Sequence, residues 1–261
     1  MENYINILRE KISGADMVLV GIGEEFGCSE KKLMESERYQ ELLLKVKEEN
    51  EWMLPYFYAK ISEKEVNQDA YRRLGELLSG KNYFIISLRT DDIVYGNKFG
   101  LTEDRIVTPC GGIRKLQCEE NCMDKIYNIP EIMEQDIEKM WSDNCCNKRT
   151  EKLKCPDCGK SLVFNKIGVA QYCETDYLPQ WEKYTKWLQG TLNRNLCILE
   201  LGVGMKYPSI IRWPFEKMAF FNQKATIFRV HSKLYQLTEE LRDKGYAVEM
   251  NPIEFLVNSF E

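Results

Sequence analysis

Ile106-Val107-Thr108-Pro109-Cys110-Gly111-Gly112-Ile113-Arg114-Lys115-Leu116-Gln117-Cys118-Glu119-Glu120-Asn121-Cys122 joins a short apolar strand to a Gly-Gly turn and then reaches the first of two cysteine pairs. The second pair is Cys155 and Cys158, in Lys154-Cys155-Pro156-Asp157-Cys158-Gly159. A Cys-Pro-x-Cys-Gly knuckle suits zinc. Proline sets the backbone at the first thiolate, and the glycine after the second lets amides turn towards sulfur. Cys118, Cys122, Cys155 and Cys158 then close a tetrahedral structural site. The three-residue gap in the first pair still permits two ligands from one loop. Four unrelated buried thiols are the alternative.

Around this centre the chain has 261 residues, enough for one medium domain with an appendage and a real core. Hydrophobic residues at 44% and charged ones at 30% are an ordinary soluble composition. A formal net charge of −5 argues against a general binder of nucleic-acid phosphates. Ten cysteines without a signal peptide fit a reducing cytoplasm, with thiols or metal rather than a disulfide framework. No apolar run approaches membrane-spanning length.

Upstream, Tyr4, Ile5, Leu8 and Ile12 are spaced as an amphipathic helix over 3–13. Met17-Val18-Leu19-Val20 then reads as a strand covered on both faces, stopping at Gly21-Ile22-Gly23. Glycines after a buried strand let backbone approach a phosphate, as in nucleotide-binding folds, or simply make a turn. Glu24 and Glu25 oppose phosphate there. Ser62-x-x-Glu65 has the form of a capping box opening a helix with Val66, Ala70, Leu74 and Leu77 inward. Tyr83–Ile86 is a second buried strand whose polar end, Ser87 to Asp92, is either a ligand site or a solvated loop.

Downstream, residues 119–154 form an insertion with a helix carrying Ile132, Met133, Ile137, Met140 and Trp141. Cys145 and Cys146 are incidental vicinal thiols. Short strands are expected at 162–164 and 170–172, then a helix lined by Trp181, Tyr184, Trp187 and Leu188. Leu196–Leu201 is a strand ending in Gly202-Val203-Gly204, and Ala225–Val230 is another, with His231 at its end. A helix is expected through Leu234, Leu237 and Leu241, then a strand near 246–249, and Asn251-Pro252 caps the last helix. Strands alternating with helices predict an α/β fold with a doubly wound parallel sheet. The Rossmann-like lobe is expected over 1–117 and 160–261, with a small zinc-binding lobe at 118–159.

With these motifs in hand, the chain resembles the sirtuin family. The family pattern has a Gly-Ala-Gly turn after the first strand and Gln-Asn-x-Asp after a second. A His-Gly-Ser turn lies eight residues before the first zinc cysteine, and a Cys-Pro-x-Cys-Gly knuckle and a Gly-Thr-Ser strand end follow. The counterparts are Gly21-Ile22-Gly23, Leu88-Arg89-Thr90-Asp91, Cys110-Gly111-Gly112, Cys155–Gly159 and Gly202-Val203-Gly204, in matching order over roughly residues 10–260. Glu200 to Met205 and Pro208 to Phe215 look most like divergent bacterial sirtuins, some of which are associated with protein ADP-ribosylation. The resemblance implies NAD in a cleft between the lobes. Gly21, Ile22 and Gly23 would lie at the pyrophosphate, and Gly202, Val203 and Gly204 at the adenosine side. His231 would stand near the adenine ribose and Asp91 at nicotinamide.

Two departures bear on chemistry. The family's histidine base is Cys110, and the asparagine that orients the ribose is Arg89. An unperturbed thiol, with pKa about 8.5, is mostly protonated at neutral pH. Arg89 would either lower that pKa by proximity or bind a phosphate or carboxylate. Standard deacylation is therefore not expected. The readings left are an NAD-dependent transferase moving ADP-ribose to a protein, with Cys110, Arg89 and Asp91 as its catalytic candidates, a silent NAD or ADP-ribose binding module, and a zinc-lobe protein without a nucleotide site.

Overall fold

The computed structural model describes residues 2–28, 34–46, 48–65, 68–142 and 151–257. Six parallel strands form the main sheet: β1 (Met17–Ile22), β2 (Tyr83–Ser87), β3 (Ile106–Val107), β7 (Leu196–Leu201), β8 (Ala225–Val230) and β9 (Gly245–Val248). Their spatial order is β3-β2-β1-β7-β8-β9. Counting only these six, that is 3-2-1-4-5-6, the Rossmann order, which reverses direction between β1 and β7. The all-apolar runs in β1, β2 and β7 follow from this topology, because both faces are covered.

Alternation along each strand divides the core. Val18, Val20, Ile85, Leu199 and Phe228 point into one cluster, and Leu19, Phe84, Ile86, Ile198 and Ile227 into the other. The first face carries α1 (Glu2–Gly14), α3 (Leu54–Glu65), α4 (Gln68–Leu78) and α8 (Pro252–Val257). The second carries α6 (Leu178–Gln189) through Tyr184 and Trp187, and α7 (Arg212–Phe221) through Phe215 and Ala219. A short helix, α2 (Glu37–Lys45), lies between β1 and α3 in sequence. No helix among the described residues is long and apolar enough to cross a membrane.

A second, antiparallel sheet has the order β5-β4-β6, formed by β4 (Gly111–Cys118), β5 (Ile126–Asn128) and β6 (Leu162–Lys166). Helix α5 (Glu131–Ser142) follows β5. This sheet therefore begins at the Gly-Gly turn rather than at Cys118. Gly111 has φ 65°, and a Cβ there would stand 2.1 Å from the Asn165 carbonyl, so the turn requires glycine.

Three local expectations are corrected. Ser62 does not open a helix; it lies inside α3, and its hydroxyl reaches Asp91 at 2.9 Å. Residues 170–172 form no strand, with a turn at 170–171. The segment 234–241 makes only a short 3₁₀ turn at Glu239–Leu241. Buried arginines take its carbonyls: Arg212 Nη2 donates to Leu234 O at 2.7 Å, and Arg229 Nη1 to Gln236 O at 2.8 Å. The Asn251 cap does form, accepting the Ile253 amide at 2.9 Å. Cys145, Cys146 and Val66 lie outside the described residues.

The lobes are stitched together by Asp92. Its carboxylate accepts the amides of Ile113 at 2.6 Å and Arg114 at 3.0 Å at the start of β4. Burial pushes this carboxyl up to about 7, with Asp91 adding to the rise and the two amides and Arg114 opposing it. In the unfolded chain the group ionises near its ordinary value of 3.8, so between about 4 and 7 the folded state holds the extra proton. Stability from this group is thus complete below about 4 and lost as pH rises through about 7. Amide protection at 111–114, taken relative to the intrinsic base-catalysed exchange rate at each pH, should fall across that window, and Asp92→Asn should flatten the fall.

Candidate functional site

The switch point between β1 and β7 brings the two glycine turns together. A Cβ on Gly23 would stand 2.2 Å from Gly202 O and 2.3 Å from Val203 Cα. The Gly23 amide donates to Leu201 O at 2.9 Å, and the Glu25 amide to Gly202 O at 3.1 Å. Gly202 has φ 66°, which turns the chain out of β7. Gly21 differs from its partners. It lies within β1, where a Cβ would meet the Ile211 and Phe215 side chains, so its direct role is packing against α7 and its flank. Ile22 and Val203 are buried.

Side chains already hold the amides at these strand ends. Gly204 N–H donates to Glu24 Oε2 at 2.9 Å. Ser232 N–H donates to Glu25 Oε2 at 2.9 Å, and the Ser232 hydroxyl bonds the same carboxylate. The amides are therefore competent anion donors, which is the property a phosphate needs. Among the described residues Glu24 Oε1 and Arg212 Nε are buried without a hydrogen-bond partner.

Arg89 and Asp91 lie at the end of β2 and face each other. The Arg89 guanidinium bonds Asp91 Oδ2 through Nε at 3.1 Å and also through Nη2, donates to Ser62 Oγ at 3.1 Å and to Glu24 O at 2.9 Å. It is 6% exposed, and its fork fills the space a Cβ on Gly27 would need, 2.4 Å from Arg89 Cζ. Arg89 thus ties the glycine loop to α3 rather than presenting a free cation. Cys110 is fully buried, and burial pushes its thiol up to about 12, with Glu24 adding to the rise and Lys206 opposing it. A thiolate at neutral pH is not available there.

The four cysteines of the small lobe converge. Their Sγ atoms lie within 4.8 Å of one another, Cys118 to Cys158 at 3.5 Å and Cys122 to Cys155 at 3.7 Å. A tetrahedral zinc with Zn–S near 2.3 Å has edges of about 3.8 Å, so the set fits. The Asp157 and Cys158 amides turn to the Cys155 sulfur, as the knuckle requires. Lys125 and Tyr127, each 2.9 Å from Asp157, fix the knuckle to β5.

No protein-family profile matches the chain. A protein ADP-ribosyltransferase of Staphylococcus aureus is 22% identical over 269 residues, covering 91% of this chain and 81% of that protein. A probable bifunctional ADP-ribose hydrolase/ADP-ribosyltransferase of Fusarium oxysporum is 25% identical over 183 residues, or 66% of this chain, which spans only 29% of that relative. Among solved structures, a Sir2 homologue–NAD complex superposes with TM-score 0.59 at 14% identity, covering 97% of this chain and 91% of the other. A mutant Sir2 homologue bound to ADP-ribose gives 0.56 at 15%, with 97% and 94% covered. The chain has the sirtuin fold.

Within this sirtuin fold, His231 follows β8 beside Glu25. Its Nδ1 accepts the amides of Lys233 at 3.0 Å and Leu234 at 3.2 Å, so the proton of the neutral ring is on Nε2. Burial lowers its pKa, which keeps the ring neutral at pH 7. Glu25, though 3.1 Å from Nδ1, therefore makes no ion pair with it and is held by Ser232 instead. A cavity of about 410 Å³ lies between α3 and the small sheet, with Tyr56, Lys60, Asp91, Ile113, Arg114 and Asn128 among its walls.

Ser62 and Arg212 were not legible as site residues. Ser62 carried the signature of a cap, and Arg212, which braces Val203 O at 2.7 Å, stood within the Pro208 to Phe215 stretch with nothing in that stretch to mark this role.

Proposed function

We propose that this chain binds NAD across the switch point between β1 and β7 and transfers its ADP-ribose to a protein acceptor. In the same reading, zinc on Cys118, Cys122, Cys155 and Cys158 holds the small lobe. The similarity to the Staphylococcus aureus ADP-ribosyltransferase supports the reaction class. The observation that carries the choice is Cys110: the position of the family's base holds a buried thiol pushed up to about 12. General-base activation of a ribose hydroxyl needs a group titrating near neutrality, whereas transfer relies chiefly on holding the donor and acceptor in place.

NAD, when bound, supplies an ADP-ribosyl group on a labile bond to nicotinamide. The Gly204 amide and the Ser232 amide and hydroxyl are the donors for its anionic and hydroxyl groups. Asp91, fixed by Arg89 and Ser62, borders the cavity on the nicotinamide side, and Gly23, packed on Gly202 and Val203, keeps the two turns close enough for one ligand to span both. Nicotinamide release from NAD, measured with and without an acceptor protein and paired with intact-mass detection of the ADP-ribosyl adduct, tests the reading. Binding without release or adduct would favour the silent module, which the closed Arg89–Asp91 pair supports.

Cys110 gives a sharper expectation. Cys110→Ala should keep at least about half of the turnover, and wild-type rate should show no thiol-dependent rise between pH 6 and 9. Loss of turnover in Cys110→Ala, with a rate climbing with pH, would return the thiolate to the mechanism.

A further inference from the structure

We propose that Glu24 is an internal competitor for the phosphate of a dinucleotide, its carboxylate lying on the Gly204 amide and moving aside when nucleotide binds. This rests on the NAD-binding reading above. The Gly204 amide follows the left-handed Gly202 at the carboxyl end of β7, opposite the end of β1. That is where an open parallel sheet presents backbone N–H groups to anions. Glu24 Oε2 takes this amide at 2.9 Å, and the same oxygen lies 3.1 Å from where a Gly204 Cβ would stand, so the carboxylate covers the turn.

The arrangement is held by the backbone and released by the side chain. Arg89 fixes Glu24 O, the Glu25 amide bonds Gly202 O, and Glu25 bonds Ser232, so the loop stays in place while the Glu24 side chain rotates. The carboxylate itself is incompletely satisfied: Oε1 is buried with no partner among the described residues. An acceptor left unpaired in a buried place costs free energy, which favours exchange for a ligand that brings more contacts. Arg212 keeps its charge while its Nη2 donates to the Val203 and Leu234 carbonyls, and it lies within electrostatic reach of the Glu24 carboxylate. Glu24 thus holds both the Gly204 amide and the counter-charge that an arriving phosphate would use.

Titration calorimetry of NAD, ADP-ribose and nicotinamide riboside against wild type, Glu24→Gln and Glu24→Ala tests this at fixed ionic strength. Gln keeps an acceptor for the Gly204 amide but not the charge. Glu24→Gln should tighten NAD and ADP-ribose by about tenfold, a gain expected from removing a unit charge several ångströms from a phosphate. Glu24→Ala should move the same way, and the phosphate-free riboside should bind all three proteins alike. Equal or weaker binding of NAD and ADP-ribose by both variants overturns the proposal. So does unchanged affinity with loss of nicotinamide release, which would make Glu24 a catalytic carboxylate. If NAD and ADP-ribose bind none of the three proteins, the NAD reading fails and the competitor role with it.

Discussion

Cys155→Ser should unfold the small lobe. Protein purified without chelator should carry about one zinc per chain, and the variant should lose it. The sulfur of Cys155 is buried, receives two knuckle amides and lies 3.7 Å from Cys122, so its loss opens the tetrahedron rather than trimming a surface ligand. Structural zinc binding in finger peptides is worth about 10–16 kcal/mol, and that free energy is folding free energy. The lobe has little to replace it, since β5 is three residues long and its exposed side is polar. Its contact with the main core runs through Leu116, Ile137, Leu162 and Phe164, with Trp52 stacked on Phe164 at 6.0 Å. Hydrogen exchange should therefore show lost protection in 111–118, 126–128 and 162–166 while β1, β2, β7 and β8 stay protected. A metal-free protein with unchanged exchange in the second sheet would sink the zinc assignment.

Arg89→Ala should cost about 3–5 kcal/mol, because it strands a buried carboxylate. Asp91 would lose its counter-ion and keep only the Ser62 hydroxyl and a long contact to the Ile93 amide at 3.4 Å. The glycine loop would lose its anchor at Glu24 O. Denaturant midpoints of Arg89→Ala, Asp91→Asn and the double variant form a cycle whose coupling should be favourable by at least about 2 kcal/mol, as expected of neighbours in one network. Arg89→Lys should recover only part of the loss, since an ammonium cannot reach Asp91, Ser62 and Glu24 together. The sequence had suggested Arg89 as a group holding the cofactor. A fully stable Arg89→Ala that has merely lost NAD affinity would restore that suggestion. The network also bears on rebuilding the family pair: Arg89→Asn with Cys110→His removes the partner of Asp91 and should yield a destabilised protein before it yields a deacylase.

The strands were legible because burial on both faces leaves a continuous apolar run, and Met17–Val20, Tyr83–Ile86 and Leu196–Leu199 carry it whatever they pack against. The zinc knuckle and the Asn251 cap were legible for the same reason: their hydrogen bonds close within a few residues. Where the periodic pattern at 234–241 misled, long-range donors intervened, since Arg212 and Arg229 took carbonyls that a helix would have used. Ser62 shows the limit most plainly. Ser-x-x-Glu is the same string whether it caps a helix or sits inside one, and only Asp91, 29 positions away, decides which.

Sequence by itself thus determined the parallel α/β fold, the two glycine-ended strands and the two cysteine pairs, all set by local spacing and burial, while the meeting of the two pairs joins residues 33 and 40 positions apart. Tertiary structure alone decided the charges. Glu24 finds its donor 180 positions away at Gly204, Glu25 finds Ser232 at 207, and Arg89 spends its fork on Ser62, Asp91 and Glu24 O. An ionic side chain's partner depends on which loops the sheet order brings together, and that order is a property of the whole chain rather than of any stretch within it.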